Sequence, residues 1–545
     1  MLNTEVQNPF HAGELEAQTR AGVGNVAQWA GGFIRDFLPA QHRNFHTSLP
    51  FLVMSGSDLE GRTWITLVDG EEGFIGSPDV RSLTLNTDID DQDPLAQSFS
   101  AGTDVGVIGI EMATRRRNRF SGHMKKSDTG YAINIRQTFG NCPQYIHERE
   151  WERVADNKPA KAINRSDLSQ SQIALIQKSD TMFIGSGHQK GEDVPSRGYD
   201  ASHRGGAPGF VRVSDSKTLH IPDYAGNNFF NTIGNLITDP RVGLVFVDFE
   251  TGGLLQITGR ANIDWNHGGD DPAAWRTINV EIDAVVERPS ALALRWKVQD
   301  NKLRRLKISQ KVKEANNITS FYLSSADGLA LERFDAGQHL PIEVQIPGQA
   351  ETSKRTYTLS GSPEARDEYR LSIKREEHGV VSRFFHDEMD EGAILEASNP
   401  SGNFVIPDSD SPLVLISAGV GITPMISMLH ATVDEKSERP VWFVHGTQNS
   451  KEHALHGELE EAISQHSSAE KHIFYSRPLE TDKKGRDYDV DGRITVQALI
   501  DMNAGASAQY LLCGPARFMS EIRSGLEAAG VSSDNIHMEA FGPSS

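Results

Sequence analysis

The chain has 545 residues, of which 37% are hydrophobic and 23% are charged, and its formal net charge is −20. A chain of this length is too long for one hydrophobic core and predicts three or four domains. The acidic balance argues against a nucleic-acid-binding protein, because such proteins need a basic surface to replace phosphate counterions. It still allows a local basic pocket for a phosphate group.

The N-terminal sequence and the cysteine content bear on the cellular compartment. The sequence MLNTEVQNPFHAGELEAQ has no basic start followed by an apolar core, so we expect no signal peptide. The chain has two cysteines, Cys142 and Cys513, which predicts free thiols in a reducing compartment. No segment offers the roughly 20 apolar residues that cross a bilayer. We therefore expect a cytoplasmic protein that does not bind membranes.

The first 300 residues are predicted to be mainly β-structure, and they contain an internal repeat. In each copy a glycine is followed by an acidic residue, then a long polar residue, then a second glycine, at identical offsets. The two sets are Gly106, Glu111, Arg119 and Gly122, and Gly243, Asp248, Gln256 and Gly259. One such repeat could arise by chance, but matched strand pairs precede both copies. The repeat therefore predicts two related barrels packed as an internal dimer, in a monomer or a homodimer.

This region resembles the pyridoxamine-phosphate-oxidase-like split barrels over about residues 45–265. The resemblance is carried by DASHRGGAPGFVRV (200–213), TLHIPDYAGNNFFNTIGNLITDPRVGL (218–244), LQITGRA (255–261) and a further stretch within 115–149. It implies one split barrel in residues 1–165 and a second in 166–295, with an FMN site at their interface.

An FMN phosphate would need basic groups, and the region offers several. Four arginines lie within residues 115–119, and His203 and Arg204 precede a glycine-rich strand; the alternative is a solvated charge cluster. Many FMN-binding relatives have Ser-Arg-Lys where this chain has Gly226-Asn227-Asn228, which is predicted to cap a helix without adding charge. The candidate FMN residues are Arg116, Arg117, Arg119, His203, Arg204, Asn228 and Gln256. No cysteine or histidine spacing suggests zinc or an iron–sulfur cluster, so we expect no metal.

Residues 303–405 carry short strands with turn signals and predict a small antiparallel barrel. In the strand RTYTLS, alternation places Arg355 and Tyr357 on one face and Thr358 and Ser360 on the other. A flavin needs a cation for its phosphates, an aromatic ring cover and a small hydroxyl near N5. This strand supplies all three groups, although an ordinary edge strand with an exposed arginine is the alternative.

Downstream of Lys374, Ser382 is predicted to cap a helix that begins SRFFHDEM. A helix N-terminus is a phosphate site, because its free N–H groups and its dipole favour an anion. The alternative is a plain capped helix.

The last third of the chain alternates strands and helices, which predicts a doubly wound α/β domain. Residues 413–417, 441–445 and 510–514 are apolar runs typical of buried parallel strands, and helices are predicted at 453–464 and 516–529. After the first strand, Gly419 and Gly421 allow a pyrophosphate to approach. Thr423 is predicted to be the N-cap of the next helix. Cys513 ends another strand and would reach the mouth of the sheet.

In this order the motifs resemble the ferredoxin–NADP reductase superfamily, in particular the reductase module of flavohaemoglobins, over almost all of 303–543. The shared sequences are RTYTLS, IKREEHGVVS, PSGNF, SAGVGITPM, YSRP, LLCGPARFM and NIHMEAFGP. The resemblance implies a six-stranded antiparallel FAD-binding barrel at 296–406, a doubly wound NAD(P)-binding domain at 407–545, and NADPH or NADH as the electron donor.

The resemblance also implies roles for individual residues. Arg355, Lys374 and Ser382 would bind the flavin phosphates, Tyr357 would cover the ring, and Ser360 would lie near N5. Cys513 would lie beside the nicotinamide, and Glu539 and Phe541 would border the flavin. Ser476 and Arg477 would meet the 2′-phosphate of NADPH, although similar modules with a nearby arginine use NADH. Further implied cofactor contacts are Thr358, Gly379, Val381, Gly419, Gly421, Thr423 and Gly514.

Two functions follow as hypotheses. The first is electron transfer from NAD(P)H to FAD, to FMN in the split barrels, and on to a small molecule or small redox protein. The second keeps the FAD reductase but makes the barrels a flavin-free docking or haem-binding module.

Overall fold

The computed structural model describes residues 9–23, 26, 34–140, 145–189, 196–224, 226, 228–266, 271, 274–298, 303–347, 352–377 and 379–539. The chain divides into two compact units, Met1–Gln299 and Asp300–Ser545. Cys142, Asn227 and Phe541 lie outside the described residues. Within those residues no helix is long and apolar enough to span a membrane, and no histidine, cysteine and acidic side chains group to hold a metal ion.

The first unit begins with short helices and a seven-stranded antiparallel sheet. Its elements are α1 (Ala12–Arg20), α2 (Ala40–Thr47), β1 (Phe51–Ser57), β2 (Thr63–Asp69), β3 (Ile75–Asp79), β4 (Ser82–Leu85), α3 (Ala96–Ala101), β5 (Thr103–Glu111), β6 (Arg116–Ser127) and β7 (Gly130–Gly140). The strand order is β2-β1-β5-β6-β7-β4-β3. Apolar side chains on one face form a buried core, as expected for strands with a two-residue period.

A second sheet follows with the same order of elements. After β8 (Arg149–Arg153) and β9 (Ile163–Arg165) come α4 (Gln170–Lys178), β10 (Thr181–His188), β11 (Gly198–Gly205), β12 (Arg212–Asp215), β13 (Thr218–Asp223), α5 (Asn231–Thr238), β14 (Arg241–Asp248), β15 (Gly253–Asp264), β16 (Arg276–Arg288) and β17 (Leu294–Val298). The order β11-β10-β14-β15-β16-β13-β12 repeats that of the first sheet, strand for strand. In addition, β9 pairs with β16, and β17 pairs with β8.

The glycines of the sequence repeat hold equivalent places in the two sheets. Gly122 and Gly259 both follow a register shift, on β6 and β15 respectively. A Cβ added at Gly106 would lie 2.5 Å from the backbone of Tyr199 on β11, and one at Gly243 would lie 2.7 Å from the backbone of Trp64 on β2. A glycine of β5 in the first sheet therefore packs against β11 of the second sheet, and a glycine of β14 in the second sheet packs against β2 of the first.

The second unit begins with a six-stranded antiparallel sheet. Its elements are β18 (Arg304–Lys313), β19 (Ile318–Ser325), β20 (His339–Val344), β21 (Ser353–Thr358), β22 (Glu368–Lys374), α6 (Val380–Asp387) and β23 (Ile394–Ala397). The strand order is β21-β20-β23-β18-β19-β22. A bridge between Leu359 and Leu371 joins the two edges and closes the sheet into a barrel. The predicted antiparallel barrel is confirmed.

A parallel sheet with flanking helices completes this unit. Its elements are β24 (Leu413–Ala418), α7 (Ile422–Asp434), β25 (Val441–Thr447), α8 (His456–Gln465), β26 (Ala469–Tyr475), β27 (Val490–Asp491), α9 (Val496–Asp501), β28 (Gln509–Cys513), α10 (Ala516–Ala528) and β29 (Ile536–Glu539). The strand order is β27-β26-β25-β24-β28-β29, and all pairs are parallel. The doubly wound prediction is confirmed, although the helix predicted at 453–464 begins three residues later.

Candidate functional site

Ser360 follows the last residues of β21 and is fully buried. Its hydroxyl accepts a hydrogen bond from Nε of Arg370 at 3.1 Å and lies 2.8 Å from the hydroxyl of Ser372. The Ser360 N–H also donates to the carbonyl of Arg370 at 2.9 Å. The hydroxyl predicted to lie near a flavin is thus held in one position by the neighbouring strand β22.

The residues before Ser360 pass from exposed to buried along β21. The guanidinium of Arg355 is exposed and donates to the carbonyl of Lys354 at 2.8 Å. Tyr357 packs edge-on against Phe385 with ring centroids 5.9 Å apart, and burial raises its pKa to about 12. The buried hydroxyl of Thr358 has no hydrogen-bond partner among the described residues. The strand therefore presents a cation, a neutral phenol and an unsatisfied hydroxyl in succession.

Helix α6 begins before Ser382, so the prediction that Ser382 caps it is wrong. Gly379 is the N-cap, and Ser382 is the third helical residue. Its hydroxyl donates to the Gly379 carbonyl and accepts from the Glu376 N–H, both at 3.2 Å. A serine in the first turn of a helix can form hydrogen bonds with the backbone of the preceding loop, as a capping residue would. Val381 is buried in the barrel core, so a cofactor would meet its backbone and not its side chain.

Lys374, at the end of β22, forms an ion pair with Glu376 at 2.7 Å. Both side chains are about one-third exposed, so this pair contributes little to stability. The ammonium group can therefore exchange its partner for a phosphate at small cost.

The loop after β24 depends on its glycines. Gly419 has a φ of +58°, which favours glycine. A Cβ added at Gly421 would lie 2.3 Å from the carbonyl oxygen of Cys513, so no larger residue fits. The prediction that Thr423 is the N-cap of α7 is wrong, because Gly421 is the N-cap and the Thr423 hydroxyl donates back to the Val420 carbonyl at 3.1 Å.

Cys513 and Glu539 are register partners at the carboxyl ends of β28 and β29. Burial, and next the charge of Glu539, raise the pKa of the Cys513 thiol well above its usual value, so the thiol is protonated. Oε2 of Glu539 is buried without a hydrogen-bond partner among the described residues, and Oε1 lies 3.8 Å from Nδ1 of His339. Gly514 directly follows the strand end.

Ser476 and Arg477 follow the carboxyl end of β26. The Ser476 hydroxyl donates to the Thr447 carbonyl at 3.2 Å, and the Arg477 N–H donates to the Gln448 carbonyl at 2.9 Å, while the Arg477 side chain is exposed. The carboxyl ends of the parallel strands thus carry the glycine loop, the Ser-Arg pair, the thiol and the carboxylate. Ligands of open α/β sheets bind at this edge.

A separate pocket lies in the first unit and is rich in arginine. Strand alternation sends Arg117 and Arg119 of β6 to the pocket, whereas Arg116 points elsewhere and stacks on Phe45 at 4.6 Å. The prediction that Arg116 belongs to this site is therefore wrong. The lining residues are Ile108, Arg117, Arg119, Tyr145, Ser202, His203, Arg204, Gly205, Pro222, Asp223, Tyr224, Gly226, Asn228, Phe230, Asn231, Thr232, Ile233 and Arg276.

Positive charge exceeds negative charge around this pocket. Four of its described lining residues are arginines and one, Asp223, is a carboxylate, which pairs with both Arg204 and Arg276. Arg119 pairs with the buried Asp200 at 2.8 Å. Burial raises the pKa of the neighbouring Glu14 to about 8, so its carboxyl is mainly protonated at pH 7. The excess of cationic groups suits a dianion such as a phosphate monoester.

His203 adds a neutral hydrogen-bond donor to the pocket lining. It is 6% exposed, and burial together with the charge of Arg117 lowers its pKa well below 6.5. Its Nδ1 lies 3.2 Å from Nη1 of Arg117 and must accept that hydrogen bond, because a guanidinium only donates. The proton therefore sits on Nε2, which has no partner among the described residues.

Two further expectations for this site need correction. Helix α5 begins at Asn231 with Phe230 as its N-cap, so Asn228 lines the pocket but does not cap the helix. Gln256 is fully buried and donates to the Ile65 carbonyl at 3.1 Å and to Asp93 at 3.3 Å, outside the pocket. The strand register makes Gln256 the counterpart of Arg119, yet its surroundings differ.

At three positions the counterpart of the pocket has an apolar side chain where the pocket has an arginine or a histidine. The paired registers of the two sheets equate Arg117 with Leu254, His203 with Leu67 and Arg204 with Val68. Arg288 pairs there with the buried Asp93 and with Asp90. The two halves of the first unit therefore share a strand order but not a binding surface.

Sequence reasoning missed several residues of both sites. Arg276, Tyr145 and Tyr224 reach the pocket from separate segments, and no local pattern marks them. The Tyr145 and Tyr224 rings lie 5.3 Å apart. Arg370 lies in YRLSIKR, a predicted strand of the same barrel, and the strand pairing of the structure brings it beside Ser360.

Comparisons with known proteins agree with the second unit. Residues 305–406 match the family described as oxidoreductase FAD-binding domain, and residues 415–524 match the family described as oxidoreductase NAD-binding domain. A flavohemoprotein of Bacillus subtilis (strain 168) is 42% identical over 237 residues, which are 43% of this chain and 58% of that protein. A flavohemoprotein of Rhizobium meliloti (strain 1021) is 42% identical over 246 residues, which are 44% of this chain and 60% of that protein.

A solved structure is also similar. The flavohem-like FAD/NAD-binding domain of nitric oxide dioxygenase from Vibrio cholerae O1 biovar El Tor is 30% identical, with a TM-score of 0.39, and the match covers 44% of this chain and 99% of that one. The chain spans about 60% of the length of the flavohemoproteins it matches. The second unit therefore carries an oxidoreductase FAD-binding domain at residues 305–406 and an oxidoreductase NAD-binding domain at residues 415–524, and over this part the chain is similar to flavohemoproteins.

Proposed function

We propose that the chain takes hydride from NADPH or NADH onto FAD in its second unit, and passes the electrons to FMN in its first unit and then to an acceptor. The acceptor is a small molecule or a small redox protein. In this proposal residues 1–165 and 166–295 are the two split barrels, 296–406 bind FAD and 407–545 bind NAD(P)H. The shared strand order of the two N-terminal sheets supports the duplicated barrels.

The observation that carries the FAD assignment is a pair of unsatisfied polar atoms at predicted flavin contacts. The Thr358 hydroxyl and Oε2 of Glu539 are buried without partners among the described residues. An unsatisfied buried polar atom costs about 1–3 kcal/mol, so a bound group that supplies the partners is favoured. FAD bound here supplies N5 as the hydride acceptor for C4 of the nicotinamide.

Each residue then has a defined task. Arg355, Lys374 and the α6 N-terminus with Ser382 bind the flavin phosphates, and Tyr357 covers the ring. Ser360 would supply the hydroxyl that lies near N5, and Cys513, as a neutral thiol, would lie beside the nicotinamide. The loop that contains Gly419, Gly421 and Thr423 binds the dinucleotide phosphates. Ser476 and the exposed Arg477 bind the 2′-phosphate when NADPH is the donor.

The arginine pocket supports one FMN per chain. Arg117, Arg119, Arg204 and Arg276 provide positive charge for the phosphate, and the neutral His203 provides a further donor. The Tyr145 and Tyr224 rings offer an aromatic surface for a ring system. The equivalent place in the other sheet has apolar side chains at the positions of Arg117, His203 and Arg204, which supports a single site.

Counting the bound cofactors tests this proposal. Flavins released from the purified chain and separated by chromatography should be one FAD and one FMN per chain. One FAD without FMN would favour the alternative, in which the barrels dock a protein partner or bind haem; a haem spectrum on the same sample separates those two cases. A chain that binds no FAD would contradict the proposal.

A further inference from the structure

Arg370 holds Ser360 by two atoms at once. Its Nε donates to the Ser360 hydroxyl at 3.1 Å, and its Nη2 donates to the Ser360 carbonyl. Arg370 is 6% exposed, so few water molecules compete for these bonds. Because the hydroxyl accepts from Nε, its own proton is left to donate to another acceptor. Within the described residues those acceptors are the Arg370 carbonyl at 3.2 Å and the Ser372 hydroxyl at 2.8 Å.

The other side of the same guanidinium binds the NAD-binding domain. Nη1 and Nη2 donate to the two carboxylate oxygens of Glu458, the second at 2.7 Å. Glu458 lies on α8, and it also bonds to His430 on α7. Burial alone would raise the pKa of Glu458, but hydrogen bonds from His430 and Arg370 lower it to about 2, so the carboxylate stays ionised. One bidentate contact therefore connects the serine of the FAD barrel to two helices of the nucleotide domain.

We propose that Arg370 and Glu458 are positioning residues for hydride transfer, which act through Ser360. This inference rests on the proposed role of Ser360 beside N5. Glu458 fixes the plane of the guanidinium, and the guanidinium fixes the position of the serine oxygen. The hydroxyl is thereby oriented by α8, which carries Glu458, and by α7, which begins at the glycine loop.

A purely structural ion pair would behave differently. Breaking a buried ion pair destabilises the fold. If the pair were purely structural, the resulting loss of rate would not depend on whether the Ser360 hydroxyl is present. A positioning pair loses its effect when the hydroxyl is removed, because residues that act as a unit are strongly non-additive. Dependence on Ser360 therefore separates the two cases.

The test is a double-mutant cycle in the flavin-loaded full chain. Glu458→Gln keeps the shape of the side chain but removes its charge, and we expect hydride transfer from NADH and NADPH to slow about tenfold, since small displacements from a productive geometry cost up to about 10²-fold. The KM for the nucleotide and the FAD content should stay unchanged. In the Ser360→Ala background the same substitution should slow transfer less than about twofold.

Arg370→Lys is a second variant that keeps the charge. A lysine cannot bond to the Ser360 hydroxyl, the Ser360 carbonyl and Glu458 in one plane, so it should reproduce the slow transfer. The matched control is Asp387→Asn, which breaks the exposed pair between Arg375 and Asp387 at 2.7 Å in the same barrel and should leave the rate unchanged.

The outcomes separate this inference from the function on which it rests. If the parent chain is reduced by nucleotide and Glu458→Gln or Arg370→Lys slows transfer equally with and without Ser360, the positioning role is wrong. If both variants leave the rate of the parent chain unchanged, it is also wrong. If the parent chain itself is not reduced by NADH or NADPH, the proposed function has failed.

Discussion

Arg119 and Gln256 occupy equivalent positions on β6 and β15, yet Arg119 lines a cationic pocket and Gln256 is fully buried outside it. Arg119 bonds to Asp200 and Ser202 at the pocket wall, whereas Gln256 bonds to the Ile65 carbonyl and to Asp93. A repeated strand order therefore does not produce a repeated binding site. The side chains of neighbouring strands decide which copy can hold an anion.

Replacing Arg204 with glutamine should weaken FMN binding to the first unit by about 10- to 100-fold, because a charge-assisted hydrogen bond contributes about 1.5–3 kcal/mol. The fold should persist, since Asp223 keeps its contact with Arg276 at 2.9 Å. Fluorescence titration of FMN into flavin-depleted protein measures the affinity. Arg116→Gln, on the opposite face of β6, is the matched control and should bind FMN as the parent chain does. An equal loss of FMN affinity in both variants would show that the pocket is not the FMN site.

Replacing Ser360 with alanine should slow anaerobic reduction of the FAD by about 100-fold, at the lower end of the loss of about 10²–10³ that follows removal of one preorganised donor from a reacting centre. FAD content should change little, since the phosphates and the ring are held elsewhere. Stopped-flow absorbance with NADH and NADPH gives the rate. Ser309→Ala, an exposed serine of the same barrel, is the control. An unchanged reduction rate in Ser360→Ala would contradict the role assigned to the hydroxyl.

Gly421→Ala should raise the KM for the nucleotide about tenfold or more, because its methyl group would meet the Cys513 carbonyl at 2.3 Å and the loop would have to move. FAD content should be unaffected. Steady-state kinetics with a saturating artificial acceptor measure KM. Gly457→Ala, whose added methyl group meets no atom within 4 Å, is the control. A normal KM in Gly421→Ala would show that this loop does not bind the nucleotide.

The stability of the first unit should fall as the pH rises from about 5 to about 8, in part through Glu14. Burial raises the pKa of Glu14 from 4.5 to about 8, so the folded state keeps a proton that the unfolded state has lost over this range. Glu14→Gln removes that proton linkage. It should raise the melting temperature at pH 9 relative to the parent chain by about 2–4 °C for each kcal/mol gained, and by less at pH 5.

Calorimetry at the two pH values tests the Glu14 prediction, with Glu16→Gln on the same helix as the control. Glu16 is about half exposed and pairs with Arg20, so its substitution should have little effect at either pH. Equal shifts at pH 5 and pH 9 in Glu14→Gln would show that the carboxyl does not hold a proton in the folded state.

The sequence predicted the strands that are marked by a local pattern of apolar residues. The strands at 413–417, 441–445 and 510–514 are continuous apolar runs, and the structure places strands at all three. The helix caps were less predictable. A hydroxyl such as that of Thr423 can bond to the backbone at the start of a helix either from the capping position or from within the first turn. Both Thr423 and Ser382 lie inside their helices.

The arginine pocket could be predicted only in part. Arg117 and Arg119 share a face of β6 because alternate residues of a strand do so, and the same rule excludes Arg116. Arg276 and Asp223 come together by pairing between β13 and β16, which are separated by more than 50 residues of chain. Such contacts follow from sheet topology, which the local sequence does not specify.

Anaerobic titration with NADH and with NADPH, followed by visible absorbance, tests the central claim most directly. The account predicts that the flavin-loaded chain loses its yellow colour with at least one donor, and that Ser360→Ala does so more slowly. A chain that contains FAD and stays yellow in excess of both nucleotides would contradict it.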